Sequence, residues 1–200
     1  MKYGINNNQP HLGGYILKGD PDKGDLRTWN SEVWDKIIGD LNIKSVVDIG
    51  CGLGYSTRYF QSKELLVTGI EGDENAISRS VFEGDLRKHD YSTGSCLVEK
   101  DSYDLAWCCE FVEHVEEKYV QNFLEDFKRC RHVAMTYGRP GQGGYHHVNC
   151  QPQEYWIDKL KNIGFNFNVD YSMELRSISR KTHLKKLLFF THPWRKISKT

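Results

Sequence analysis

Two carboxylates and an imidazole stand close together near the middle of this chain, at Glu110, Glu113 and His114. On a helical turn, residues three and four positions apart share a face, so these side chains would point the same way. The imidazole could accept a proton from a hydroxyl group. One further histidine would complete a set of two oxygen and two nitrogen ligands, which suits Mg²⁺ or Mn²⁺. The spacing therefore predicts a general base or a divalent-metal site.

The further histidine would come from His146 or His147, which follow a glycine-rich loop at 137–145. Neighbours in an extended chain point to opposite sides, so only one of the two can face the site. We expect that one to be His147. Ligands of open α/β sheets bind at the carboxyl ends of strands, and this loop follows a predicted strand. It is therefore a candidate substrate lid, with a plain long turn as the alternative.

A second chemically informative stretch is 46–54, which reads Val-Val-Asp-Ile-Gly-Cys-Gly-Leu-Gly. The apolar run predicts a buried strand, and the glycines at Gly50, Gly52 and Gly54 predict a tight turn before a helix over 55–60. Glycine is needed where the backbone adopts positive φ or comes close to a ligand. The turn therefore looks built to hold a nucleotide-like cofactor at a helix N-terminus.

The spacing of this turn argues against a dinucleotide. The dinucleotide fingerprint would require glycine at position 55, which is Tyr55. Asp48 would also repel a pyrophosphate, by roughly 2 kcal/mol per charge pair at ~7 Å and an effective dielectric of ~20. S-adenosylmethionine (SAM) has no phosphate, and its sulfonium, ammonium and ribose diol suit carboxylates. The sequence therefore favours SAM.

These residues resemble the first motif of the class I SAM-dependent methyltransferases, and three further motifs follow in that family's order. They are a strand ending in Glu71, then His89-Asp90-Tyr91, then a fourth strand and its continuation over 103–115. The resemblance implies binding of SAM, and of the product S-adenosylhomocysteine, by Asp48, Gly50, Cys51, Gly52, Gly54, Glu71, Gly72, Asp90, Tyr91 and Glu110. It implies that Glu71 binds both ribose hydroxyls and that Asp90 accepts from the adenine amino group.

The run from Glu110 to His114 is also similar to the Glu-x-x-Glu-His of metal-assisted small-RNA 2′-O-methyltransferases and of ubiquinone-pathway O-methyltransferases. This resemblance implies that Mg²⁺ or Mn²⁺ is bound by Glu110, Glu113, His114 and His147. In the alternative interpretation, Glu110 contacts the methionine part of SAM through its backbone. Glu113 would then cap a helix or form an ion pair at the surface, and His114 would have a structural role.

The motifs that the chain lacks, and the distribution of its charge, limit which methyl acceptors are expected. The chain has no Asp-Pro-Pro-Tyr or Asn-Pro-Pro-Tyr, which the family uses on nitrogen, and no Pro-Cys, which it uses on cytosine C5. We therefore expect O-methylation, with His114, alone or together with His147, acting on a small molecule or sugar. Residues 175–200 contain eight Lys or Arg and no acid, which keeps RNA as an alternative acceptor despite a pI near 7.1. A SAM-binding protein without catalysis is a further alternative, and a dinucleotide oxidoreductase is the last.

The elements that must position these residues alternate between strand and helix. The predicted strands are 46–49, 65–71, 103–110, 132–136, 165–169 and 187–191, and the predicted helices are 29–41, 55–60, 75–82, 120–127 and 152–163. The segment 86–89 before Asp90 is too polar for a central buried strand. The family resemblance implies an α/β fold, a three-layer αβα sandwich. Its sheet would have seven mostly parallel strands, with the last antiparallel.

The bulk properties predict one domain for the 200 residues. We expect an N-terminal arm over 1–28, the methyltransferase domain over 29–192 and a basic tail over 193–200. The six cysteines form no Cys-x-x-Cys, which favours reduced thiols and a cytoplasmic location. No apolar run approaches the length of a membrane span, and the N-terminus lacks a signal-peptide core.

Overall fold

The computed structural model describes residues 9–13, 20–99, 103–179, 181 and 183–193. Seven strands form one sheet in the order β3-β2-β1-β4-β5-β7-β6. In chain order the strands are β1 (Ser45–Ile49), β2 (Leu66–Glu71), β3 (Asp85–Lys88), β4 (Tyr103–Cys108), β5 (Cys130–Met135), β6 (Asn166–Phe167) and β7 (Leu188–Thr191). Strand β7 runs antiparallel to both of its neighbours, and the other pairs are parallel. The seven-stranded sheet with an antiparallel last strand is therefore confirmed.

Helices cover both faces of the sheet. They are α1 (Ser31–Leu41), α2 (Tyr55–Ser62), α3 (Glu74–Ile77), α4 (Val120–Phe127), α5 (Gln153–Asn162) and α6 (Val169–Ile178). Side chains of α1, α2 and α6 share one apolar core with the sheet, and those of α4 and α5 share the other. The three-layer αβα arrangement follows.

Successive side chains along a strand point to opposite faces of the sheet, which explains why helices pack on both faces. Val46 and Leu105 face the α1 side, whereas their neighbours Val47 and Ala106 face the α4 side. All five residues of β1 and all six of β4 are buried. Parallel strands covered on both faces read as continuous apolar runs, and these two strands lie at the centre of the sheet.

Strand β3 explains the polar segment before Asp90. It pairs only with β2, at the edge of the sheet, and its residues are exposed or half-buried. An edge strand tolerates charged side chains, since one of its sides faces water. The segment is therefore a strand after all, at a position where polarity carries no cost.

The helix predicted over 75–82 is wrong in length, because α3 ends at Ile77. Asp73 caps its start by accepting from the Asn75 amide. Beyond the first turn the Ser80 hydroxyl accepts from the Phe82 amide, which competes with helical hydrogen bonding. The Val81 amide donates to the Leu53 carbonyl, so this segment braces the glycine turn instead of extending the helix.

The strand predicted over 165–169 is also mostly wrong. Only β6 is extended, and Val169 opens the unpredicted helix α6. The Asn168 side chain accepts from the Tyr171 amide at 3.0 Å, and Asp170 lies in the first turn. Asparagine at the cap followed by an acid is a helix-start signature, so the sequence held a readable signal here.

The remaining predictions concern the cysteines, membrane spans and the two ends of the chain. All six cysteines are free thiols. Within the described ranges, no helix is long and apolar enough to cross a membrane. Of the predicted arm and basic tail, residues 1–8, 14–19 and 194–200 lie outside the described residues, as does Arg180 of the basic stretch 175–200.

Candidate functional site

A cavity of about 470 Å³ opens at the carboxyl ends of β1, β2, β3 and β4. These ends are where ligands bind in open α/β sheets. The cavity wall comes from the glycine turn, the residues after β2 and β3, and segment 109–116. The loop after β5 and the described part of the N-terminal arm complete the wall. The candidate site can be described as a cofactor end, built on β1 to β3, and an acceptor end, built on β4, β5 and the C-terminal segment.

The glycine turn takes the left-handed backbone that its sequence predicts. Gly50, Gly52 and Gly54 have φ values of +72°, +57° and +78°. The turn is tied to the next strand, because the amides of Gly50 and Cys51 both donate to the Ile70 carbonyl. A Cβ on Gly50 would lie 2.4 Å from Phe111, whereas one on Gly52 would meet nothing within 4 Å. The backbone at Gly52 is thus open on the side where a ligand would lie.

Asp48 lies beneath this turn and is 2% exposed. Its Oδ2 accepts from the hydroxyls of Ser56 and Thr57, at 2.6 and 2.8 Å. Burial raises the pKa of Asp48 to about 6, although the two hydroxyl donors oppose the shift. The side chain both anchors the start of α2 and supplies carboxylate to the cavity wall.

Glu71 is held by the backbone of two turns. Its Oε2 accepts from the Gly52 amide at 2.7 Å, and its Oε1 accepts from the amides of Gly72 and Asp73 at 2.8 Å. Burial raises the pKa of Glu71 to about 7, against the lowering effect of these donors. A carboxylate has about four acceptor positions. In this arrangement Glu71 has room for one ribose hydroxyl, and binding both would require it to release an amide.

Asp90 is bound by the N-terminal arm. Its Oδ2 lies 3.0 Å from His11 Nε2, and its Oδ1 accepts from the Ser92 amide. Burial would raise the pKa of Asp90, but these two partners lower it below its ordinary value. Leu12 packs over Gly72, where a Cβ would lie 2.6 Å from its Cδ2. The arm therefore covers the cofactor end of the cavity.

The remaining predicted cofactor residues divide by position. Cys51, Gly72 and Tyr91 line the cavity, whereas Gly54 caps α2 behind it. The Tyr91 ring packs edge-on against Phe111 and Phe123, and its hydroxyl has no described hydrogen-bond partner. Tyr91 thus forms an apolar wall between the two ends.

At the acceptor end, His114 and His147 meet edge to face, with ring centroids 4.9 Å apart. Both line the cavity, whereas His146 does not. Burial and then the charge of His147 lower the pKa of His114 to about 4, so it is neutral at pH 7. His114 Nδ1 is buried with no hydrogen-bond partner in the described chain. His147 Nδ1 faces the Gln142 carbonyl at 3.2 Å and must donate to it. The structure thus brings together the two predicted catalytic histidines.

Glu110 has turned toward the C-terminal segment. Its Oε2 lies 2.6 Å from His183 Nδ1 and its Oε1 lies 3.0 Å from Lys186 Nζ. The Thr136 hydroxyl also donates to Oε1, and the Thr136 Oγ1 accepts from the Glu110 amide. Burial would raise the pKa of Glu110, but His183 and Lys186 hold it well below its ordinary value. Since φ of Glu110 is +52°, these contacts maintain a backbone conformation that costs energy.

Glu113 lies outside the cavity and is fully buried. Neither carboxylate oxygen has a hydrogen-bond partner among the described residues, and Lys186 Nζ lies 4.0 Å from Oε1. Burial and the charge of Glu110 raise the pKa of Glu113, so the group is neutral over a wide pH range. The short 3₁₀ turn Val112–His114 does not include Glu110, so the expected shared face does not form.

These positions do not make a metal centre. Glu110 is already bound by His183 and Lys186, Glu113 is turned inward, and only His114 and His147 are in contact. In the part of the chain that is described, no three His, Cys, Asp or Glu side chains are grouped to hold a metal ion. The predicted ligand set Glu110, Glu113, His114 and His147 does not fit Mg²⁺ or Mn²⁺ in this structure.

Three residues of the site were not predicted. His11, His183 and Lys186 reach it from segments distant in the chain, and His183 lies 73 positions from its partner Glu110. No local spacing connects such residues. The cluster of basic residues after 175 was visible in the sequence, but nothing in it indicated which members turn inward.

Residues 47–132 match the family model described as a methyltransferase domain. The ubiquinone biosynthesis O-methyltransferase of Nitrosomonas europaea is 32% identical over 91 residues, which cover 42% of this chain and 38% of that protein. The matched part therefore spans well under half the length of this curated relative.

Two solved structures are similar across most of the chain. Magnesium protoporphyrin IX methyltransferase from Synechocystis PCC 6803, with bound SAM, is 16% identical, covers 81% of this chain and 76% of its own, and has a TM-score of 0.58. The (4+2) cyclase SpnF is 12% identical, covers 96% of this chain and 88% of its own, and has a TM-score of 0.59. At these identities the likeness establishes the fold.

Proposed function

We propose that this chain is a class I SAM-dependent methyltransferase that transfers a methyl group from SAM to an oxygen atom of a small molecule or sugar. The match to a methyltransferase-domain model, the O-methyltransferase relative and the shared fold support this proposal. The observation that carries this proposal is the pairing within one cavity of a carboxylate-lined cofactor end and an imidazole-lined acceptor end. The O-methyltransferase relative supports oxygen as the methyl acceptor. The free state of all six thiols supports a reducing, cytoplasmic setting.

The residues at the cofactor end fit SAM. Asp48, Glu71 and Asp90 supply carboxylates where a cationic ligand would lie, and no phosphate needs to be accommodated. The open backbone at Gly52 leaves room for a ligand against the turn. We assign the ribose to Glu71, the adenine to Asp90 and Tyr91, and the methionine part to the turn and the backbone of Glu110.

When bound, SAM supplies a methyl group already activated as a sulfonium substituent. The protein's task is then to orient the acceptor hydroxyl and take its proton. In our assignment His114 takes the proton, because its side chain lines the cavity and is neutral at pH 7. His147 holds its Nδ1 proton against Gln142, which orients its ring beside His114.

Metal-dependent RNA 2′-O-methylation is the rival that the sequence raised, and the residues that the structure describes give it no ligand set. Chelator tests it directly, since a metal-dependent enzyme would lose activity with EDTA and regain it with Mn²⁺. A SAM-binding protein without methyl transfer is the other rival. The cyclase with the same fold shows that this architecture is compatible with other chemistry.

The first experiment incubates the purified chain with methyl-labelled SAM and a lysate, with and without Mn²⁺. Label is then counted in RNA, protein, glycan and small-molecule fractions. We expect label in the glycan or small-molecule fraction, unchanged by chelator. Label in RNA alone would mean that the acceptor is RNA and not a small molecule or sugar. SAM binding without label in any fraction would favour a SAM-binding protein that does not catalyse methyl transfer.

A further inference from the structure

A second, smaller cleft of about 330 Å³ adjoins the acceptor end of the cavity. Its lining residues are Arg139, Gln142, His183, Lys185 and Lys186. Gln142 and His183 also line the main cavity, so the two spaces share a wall. Four of the five lining side chains are basic, and none is acidic. A ligand extending from the acceptor end would therefore meet positive charge.

Cations of this region outnumber the anions that could balance them. Arg139 and Lys185 form no ion pair with any described residue, and the Lys185 Nζ donates only to the Arg176 carbonyl. Arg176 donates to the Leu187 carbonyl and to Gln153 Oε1, both of which are neutral. Some surface cations, such as Lys36 and Lys63, have carboxylate partners, whereas others, such as Lys161, form no ion pair with a described residue. What distinguishes this cleft is the grouping of its basic side chains around one space.

The nearby acids do not supply the missing charge. Glu110 is shared between His183 and Lys186, and the buried Glu113 has a raised pKa. Burial lowers the pKa of Arg176, Tyr137 opposes this shift, and the charge of Arg139 lowers the pKa further. Like charges left in proximity without a counter-ion favour binding of an anion.

The architecture holds these cations in place. The Arg139 amide donates to Gln142 Oε1, and Lys186 Nζ lies 3.3 Å from the same oxygen. Gln142 also joins this cleft to the catalytic histidines, because its carbonyl accepts from His147. An anionic group bound beside Arg139 would consequently leave the rest of the same molecule near His114 and His147.

We infer that the cleft formed by Arg139, Lys185 and their neighbours binds an anionic group of the methyl acceptor, a phosphate or carboxylate. This inference rests on the proposed function and narrows its acceptor to a negatively charged small molecule or sugar. Arginine suits these groups because its planar donors match two oxygens. The small cleft and its few cations fit one compact anion better than a nucleic-acid backbone, which requires an extended basic surface.

The first test needs no turnover and no knowledge of the acceptor. Inorganic phosphate is titrated into the ¹⁵N-labelled chain saturated with S-adenosylhomocysteine, and amide shifts are followed by NMR. We expect saturable shifts confined to 139–142 and 183–186. They should vanish in Arg139→Ala/Lys185→Ala and persist in Lys161→Ala, which removes an exposed lysine far from both cavities. Absent shifts, or shifts unchanged in the double variant, would overturn the site.

The second test examines the charge of the methylated product. Labelled product is passed over an anion-exchange resin at neutral pH, before and after phosphatase. Retention supports the inference, with phosphatase-sensitive retention indicating phosphate and resistant retention indicating carboxylate. A neutral product, or label that ribonuclease releases, would overturn it.

Kinetics connect the two tests. The double variant should raise the KM for the retained acceptor about tenfold, since each exposed charge contact is worth a few-fold in affinity. Its affinity for SAM should stay that of the parent. If no fraction acquires label, the proposed function fails, and the phosphate titration still decides separately whether the anion site exists.

Discussion

The two ends of the cavity present different side chains and are built in different ways. The cofactor end presents Asp48, Glu71 and Asp90, each directly after a parallel strand or near its end. The acceptor end presents imidazoles and is bordered by lysine and arginine side chains. The difference indicates two tasks. One end presents carboxylates that match a cationic cofactor, and the other presents the imidazoles that we propose take a proton from the acceptor.

The two ends also differ in how the chain assembles them. The acids of the cofactor end come from one continuous stretch, 48–90, whose successive strands lie side by side. The acceptor end combines segments around 110–116, 142–147 and 183–186. Its central contact, between Glu110 and His183, joins residues 73 positions apart. Changes at the cofactor end should therefore act on binding, whereas changes at the acceptor end should act on turnover.

The strongest test of this division is His114→Ala. Loss of a general base typically costs 10²- to 10⁴-fold in rate. We expect kcat to fall by about that much, with SAM affinity retained, in a methyl-transfer assay. His146→Ala is the matched control, since its ring lies outside the cavity. His183→Ala tests whether another imidazole that lines the acceptor end takes the proton instead. If His183→Ala lowers kcat more than His114→Ala does, the proton acceptor has been assigned to the wrong imidazole.

The next largest effect is expected at the base of the cofactor end, for Gly50→Ala. Its φ of +72° strains any other residue, and the added Cβ would overlap Phe111. Left-handed strain and the displaced ring together should lower the free energy of unfolding by roughly 2–4 kcal/mol. Denaturant titration measures this loss. Gly39→Ala, in α1 with open space around it, should instead stabilise the protein by roughly 0.5–1 kcal/mol. Equal effects of the two substitutions would contradict the account.

These two predictions rest on different kinds of information. The glycine turn, its acid and Glu71 could be predicted because each follows a buried strand at a spacing that local physics explains. The edge strand β3 and the capped helix α6 were missed or misread, although Asn168 and Asp170 carried a local signal. His183 and Lys186 could not have been placed, since a contact across 73 residues is set by the completed fold. The metal interpretation did not fit because Lys186 and His183 take the carboxylate that it required.

A third prediction tests the cofactor end by binding alone. Glu71→Ala removes the carboxylate that we assign to the ribose and also three backbone hydrogen bonds. Hydrogen bonds to a charged acceptor are worth about 1.5–3 kcal/mol each, so SAM affinity should fall about 10- to 100-fold. Titration calorimetry measures the change. Glu83→Ala, at an exposed position, is the control. Unchanged affinity in Glu71→Ala would remove Glu71 from the cofactor site.

The smallest expected effect is a change with pH in two quantities, the folding stability that the acidic residues contribute and the affinity for SAM. The two quantities should change in opposite directions. The pKa values of Asp48 and Glu71 are raised by burial to about 6 and about 7, above the ordinary range near 4. These two carboxyls therefore bind more protons in the folded apo protein than in the unfolded chain, so their contribution to the free energy of unfolding should fall as pH rises from about 4 to 7. The buried His114 and His132, whose pKa values are lowered to about 4, contribute in the opposite direction.

SAM binding should move in the opposite direction, because a cationic ligand favours the ionised carboxylates. With a pKa of about 7 for Glu71, the ionised fraction rises about tenfold between pH 6 and 8, and SAM affinity should rise by a similar factor. The increase should disappear in Glu71→Gln, which keeps the size of the side chain but cannot ionise. Affinity that is flat with pH in the parent protein would mean that the acidic end does not recognise the charge of the cofactor, and the contrast between the two ends would then be one of shape.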